Sequence, residues 1–418
     1  MADRKALAHL LRRATFGPTA EEVDAAERAG LSATLDALIS PAGDDAGAAR
    51  TPVPKLPPVV NEKTDRAAQI RTVGYWWLDR MVQAEDQLHE KLTFFWHGHW
   101  ATSADKVKYG PLMLGHQQTL ARTALGDFGT MVRAMVRDPA LIIWLDGQRN
   151  TVKAPNENLA RELMELFTLG VGHYTEQDVR EGARALTGWV VDPKSGTASL
   201  NPKRHDAKPK TILGTTADFD ADGFAALLLG QPACPEFIAR RLWLRYCGDN
   251  PIPEAVLAEA KRQSTTAAML RVLLLADGHA ELVKQPVEWL VGALRQLGLR
   301  PGDMPEQQRK QLQGGLNQLG QVPLRPPSVG GWPAGAAWLT TSATQARLKM
   351  AQLLAGKAPQ PVLDRIGAAP KGQRADALAR LLVVDAFTDR TRAALDAVAG
   401  DPRRLLALGL ASPEYAIA

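Results

Sequence analysis

PNENLARELMELFTLGVGHYTEQDVREGARALTGW, residues 155–189, is the stretch from which the architecture is read. Counting about 100° per residue from Glu157, Arg161 falls at about 40°, Glu165 at about 80° and Thr168 at about 20°, all on one side of a helix. Asn158 and Glu162 flank that side, while Leu159, Leu163, Leu166 and Phe167 take the opposite arc and require a core. Pro155 suits a helix start, Asn156 an N-cap, and Gly170 and Gly172 a stop. A second helix opens at Thr175, where Thr175 and Asp178 form a capping-box start and Glu176 and Asp178 complement the helix dipole. Val179, Ala183 and Leu186 form its apolar stripe, with Arg180 and Arg184 on another side. The spacing predicts a helical hairpin.

The same periodicity runs through most of the chain. Leu7, Leu10, Leu11 and Ala14 share a stripe, and Thr19 with Glu22 makes a capping box for a helix that Gly30 ends. Residues 41–60 read as an exposed linker, and 63–96 as a long helical run broken near Gln87. Only 188–215 changes character, with turn residues and β-branched side chains that predict one short antiparallel hairpin and an extended arm. The expected fold is mainly α, a multi-helix array in two lobes. Residues 1–187 form an N-terminal helical lobe, 188–217 the hairpin and arm, and 218–418 a C-terminal helical lobe.

Composition narrows the functional classes. With 45% hydrophobic and 23% charged residues in 418, the chain is ordinary globular protein. A net charge of +5 spread over that length makes nucleic acid an unlikely partner. No run approaches the roughly 18 apolar residues of a membrane span, and residues 1–13 lack a signal-peptide core, so the chain reads as cytoplasmic. Cys234 and Cys247 read as two reduced thiols, or as one disulfide in an exported protein. Nucleotide-binding glycine loops, a Gly-x-Ser-x-Gly elbow and His-Glu-x-x-His are all missing.

Ionisable residues concentrate in three places. The first is the strip Glu157, Arg161, Glu165 with Glu162 beside it: either a surface ion-pair ladder or a paired-carboxylate site tuned by the arginine. The second is FFWHGHW, residues 94–100, where His97 and His99 reach one side only if the helix ends near Trp96 and the chain is extended at Gly98. The third is His205-Asp206, a ligand pair, a base with its orienter, or a turn. Trp332 and Trp338, in a Pro/Gly-rich segment, either line a groove or staple that segment to the helices.

The blocks HLLRRATFGPT (9–19), FFWHGHW (94–100), 155–189, RHDAKPKTILG (204–214) and PPSVGGWPAGAAW (326–338) stand in an order that resembles the bacterial domain of unknown function 1800 family. The resemblance implies no activity. It does imply a partner, because relatives are often encoded beside a sulfatase-like protein, and many relatives look exported. Two readings follow. One is a metal-dependent hydrolase or oxidoreductase, with His97, His99 and His205 binding a divalent metal ion and Glu157, Arg161, Glu162, Glu165 and Asp206 supplying acid–base groups. The other is a non-catalytic helical scaffold working with a sulfatase-like protein. The first requires the three blocks to converge on one cleft, with Glu165 buried against Arg161.

Overall fold

A computed structural model describes residues 3–59 and 61–418. The chain is mainly α: 62% is helical, in 23 helices, with two small antiparallel two-stranded sheets among the described residues. The local signals act where they stand. Thr19 and Glu22 exchange side-chain and backbone bonds at the start of Ala20–Ala29, as do Thr175 and Asp178 at the start of Glu176–Ala185. The long run divides into Glu62–Gln83 and Gln87–His99, where Ala84 leaves helical geometry and the Gln87 side chain donates to the carbonyls of Met81 and Ala84. A short helix follows at Pro139–Trp144, which Asp138 caps by accepting from Leu141 N–H.

The middle of the chain holds two hairpins where one was expected. Trp189–Asp192 pairs with Thr197–Leu200, and Lys210–Ile212 pairs with Thr215–Ala217. The second turns on Leu213 and Gly214, whose φ values of 48° and 77° place both in the left-handed region that tight hairpins need. The predicted extended arm is thus itself a hairpin. The main apolar core runs without a break from Leu10 to Tyr415. Its centre is aromatic: Trp77, Trp96, Trp100 and Trp289 are all fully buried. The helix Gln87–His99 lies at that centre, with eleven of its thirteen residues buried, so it meets packing on every side.

Candidate functional site

Burial on every side decides how the histidine helix behaves. Gly98 does not end it: helical geometry continues to His99, and Trp100 N–H closes on Trp96 O at 2.8 Å. Residues two apart on a helix diverge by about 200°. His97 and His99 therefore point to different neighbours, and the expected extended His-x-His segment is not formed. The His97 ring is wholly buried, and its Nε2 accepts from Leu324 N–H at 3.2 Å. Trp77, Trp332 and His116 surround it at ring-centre distances of 5.2, 5.5 and 5.8 Å. His99 donates from Nε2 to Phe167 O at 3.0 Å. Burial drives both imidazoles well below their ordinary basicity, reinforced by His116 at His97 and by Arg241 at His99. Both are neutral framework residues at neutral pH.

The carboxylate helix starts at Asn158, where Asn156 accepts from the Asn158 N–H at 3.1 Å. Glu157 and Arg161 pair at 3.0 Å as the spacing predicted, and Arg161 also grips Glu176 of the next helix with two bonds of 2.6 and 2.7 Å. Glu165 does not join them. From Leu163 to Thr168 the helix widens into a π-turn, which shifts Glu165 round the axis relative to an α-helical count. Glu165 accepts from the Tyr174 hydroxyl at 2.5 Å and is half-buried, so the expected buried pair with Arg161 is replaced by a tyrosine contact. The Glu162 side chain makes no hydrogen bond or ion pair with a described residue, and burial and the Glu165 charge push its pKa up.

His205 and Asp206 also part company. The His205 Nδ1–H donates to Thr187 O at 3.0 Å, whereas Asp206 pairs with Arg184 at 2.8 Å. That guanidinium holds the Asp206 carboxyl below its usual range. Asp206 orients Arg184 and not the imidazole, so the pair is a turn fixed to the Glu176–Ala185 helix. Among the described residues no group of three or more His, Cys, Asp or Glu side chains is placed to hold a metal ion. The set His97, His99 and His205 is not brought together with Glu157, Glu162, Glu165 and Asp206. Cys234 and Cys247 are free, buried thiols, and burial pushes each up to about 12.

Two other family-like blocks do meet. The segment after Gln321 folds onto the histidine helix, so closely that a Cβ at Gly331 would stand 2.2 Å from the Gly98 carbonyl oxygen. Trp332 then stacks on Phe94, ring centres 5.3 Å apart. Facing them is the helix Ala233–Tyr246, which contributes Arg241, Leu244 and Arg245. Between the two lies an open cleft with a cavity volume of about 80 Å³. Sequence reading missed these arginines. The available signal was their i,i+4 spacing with Phe237, Ile238 and Leu244, and no acid, at the helical neighbours of Arg241.

Behind the cleft is a buried ionic cluster. Glu288, 2% exposed, accepts from Lys91, from Arg245 at 3.1 Å and from its own cap, Gln285 N–H, at 3.3 Å. Lys91 also donates to the carbonyls of Arg13 and Thr15, each at 2.7 Å. Arg13 in turn donates to the Cys247 carbonyl at 2.7 Å. The N-terminal block is therefore locked to the floor of the cleft. Burial lowers Lys91 from the ordinary lysine range, while Glu288, flanked by Arg245 and Lys91, stays below the ordinary carboxylate range despite being buried.

The architecture is that of a helical protein whose ionisable framework residues are bonded internally and whose open cleft is lined by arginine and aromatic side chains. The family described as protein of unknown function (DUF1800) matches residues 9–417, nearly the whole chain, and the chain belongs to it. Neither a curated protein nor a solved structure matches it.

Proposed function

We propose that the chain is a non-catalytic helical binding platform, and that the partner it serves is the sulfatase-like protein which the family resemblance implies. The observation that carries this reading is where the donors and acceptors go. His97 and His99 are tied to backbone groups in the core, His205 to Thr187, Asp206 to Arg184, and Glu165 to Tyr174. The second ring nitrogen of His97 and of His99 stays without a partner in the core, and so do guanidinium and indole N–H groups of residues lining a cleft; donors at a cleft suit recognition more than bond cleavage. The test has two parts. Protein made without a histidine tag is analysed for Zn, Mn, Fe and Cu before and after reconstitution, and the sulfatase-like neighbour is co-expressed to look for a stable complex. A complex with no stoichiometric metal is the expected result. Stoichiometric metal that is lost on His97→Ala or His99→Ala overturns the reading.

One observation favours a second reading, acid–base chemistry at Glu162. This half-buried carboxyl has no partner, has a raised pKa and sits where the helix enters its π-turn. A substrate screen in which Glu162→Gln removes a detected activity without changing the melting temperature would establish it.

A further inference from the structure

The cleft between the histidine helix and the helix Ala233–Tyr246 has a definite chemical bias. Its apolar wall is Phe94, Phe95, Leu244 and Trp332, and Leu244 is 39% exposed. Three of the side chains that line it each carry a buried donor without a hydrogen-bond partner: Arg241 Nε, Arg245 Nη2 and Trp332 Nε1. All three are donors, and neither guanidinium nor indole N–H can accept. Only an acceptor can satisfy them, and a charged acceptor makes the stronger bonds.

The charge count narrows the ligand further. Arg241 has no ion pair with any described residue, and burial lowers its pKa with no acid acting against it. Arg245, its side chain 10% exposed, has one counter-ion, Glu288, which it shares with Lys91. One guanidinium is thus wholly uncompensated and a second only half. An anionic acceptor is what balances them. An unpaired cation held beside aromatic rings is costly to keep dry, so the site is built at the expense of stability, as binding sites commonly are.

We propose that this cleft binds the carboxylate of an apolar or aromatic acid, with Arg241 and Arg245 holding the oxygens, Trp332 Nε1 donating a third bond, and the Phe94, Phe95 and Leu244 wall taking the apolar body. The carboxylate belongs either to a free acid or to the C-terminal residue of a polypeptide. The assignment supplies a ligand class for the binding-platform reading and rests on it.

The test is titration of the purified full-length chain, followed by calorimetry and by tryptophan fluorescence. The probes are N-acetylphenylalanine, its amide, inorganic phosphate and an N-acetylated tripeptide ending in phenylalanine. N-acetylphenylalanine should bind saturably, and its amide about tenfold more weakly or worse, the loss expected when a charge-assisted bond becomes a neutral one. Arg241→Gln should weaken the acid by about tenfold without lowering the melting temperature, and Arg241→Lys should weaken it less. Trp332→Phe keeps the stack on Phe94 and should weaken the acid through loss of the N–H alone. Tighter binding of the tripeptide than of the amino acid identifies a chain end as the natural ligand; equal binding identifies a free acid. Equal affinity for acid and amide, phosphate binding tighter than carboxylate, or Arg241→Gln binding like the parent would each overturn the proposal. Because the titration uses the chain alone, its failure with an intact partner complex removes only the cleft assignment. A working titration with no complex removes only the partner reading.

Discussion

Glu288→Gln is the substitution whose effect the structure specifies best. The glutamine is isosteric and can still accept from Gln285 N–H, so the packing is kept and the charge removed. Lys91, 1% exposed, then faces Arg245 with no carboxylate, and Lys284 adds a further cation to the field of Glu288. Removing one partner of a buried ion pair costs about 3–5 kcal/mol. Lys91 has one escape. Burial has already lowered its pKa, to about 7, and without Glu288 it falls further, so the amine sheds its proton. A neutral amine carries only two N–H groups for the Arg13 and Thr15 carbonyls and the weaker bond to Arg12 at 3.3 Å, so relief is incomplete. We expect a loss of about 3–5 kcal/mol near pH 6, where the lysine is charged in the parent, shrinking as the pH rises through 7 to 9 and the parent lysine also becomes neutral. Urea unfolding followed by tryptophan fluorescence at pH 6, 7.5 and 9 measures it. Adding Lys91→Met should recover part of the loss, because it removes one of the stranded cations. A loss under about 1 kcal/mol at pH 6 would refute the claim that Glu288 compensates the cluster.

Three further outcomes are expected. Lys284 is 4% exposed, donates to the Tyr415 carbonyl at 2.8 Å and is lowered to about 7 by burial. Since the unfolded chain keeps that lysine charged up to about pH 10.4, it binds more protons than the folded one between these values, and stability should rise with pH by up to about 1.4 kcal/mol per unit. Lys284→Met should flatten that slope, as read from urea midpoints at pH 7, 8 and 9. Gly331→Ala should cost about 3 kcal/mol or more, because it combines a φ of 81° with a Cβ 2.2 Å from the Gly98 oxygen; a melt within experimental error of the parent would contradict the close approach. Glu165→Gln should change stability by roughly 1 kcal/mol or less, since Tyr174 can still donate to the amide oxygen, and a loss of several kcal/mol in denaturant unfolding would restore the buried-pair geometry.

Legibility from sequence followed the range of the interaction. Capping boxes at Thr19 and Thr175 are local exchanges within four residues, and both stand where their spacing put them. The Glu157–Arg161 contact is likewise local. Glu165 escaped because a constant 100° step has no π-turn in it. Gly98 was read as a permitted stop, but permission is not a cause: aromatic packing on all sides keeps that helix whole. The arginine cleft needs four segments that are far apart in the chain, residues 94–98, 241–245, 282–285 and 332–335, and no single window shows them together. An i,i+4 arginine couple with no acid at the helical neighbours of Arg241 was the one trace visible beforehand.

The bond from Lys91 to Glu288 spans 197 residues. On a ribosome adding about 5–20 residues per second, that ammonium stands without its carboxylate for roughly 10–40 s after it is made. Over that interval the carbonyls of the first helix are available to it, but the charge that stabilises it there is not. The N-terminal half therefore emerges with its central helix unable to settle. Trp96 and Trp100 find Phe128 and Phe167 within the first half, but Phe94 and Phe95 lack Trp332 and Tyr246 until the second half arrives.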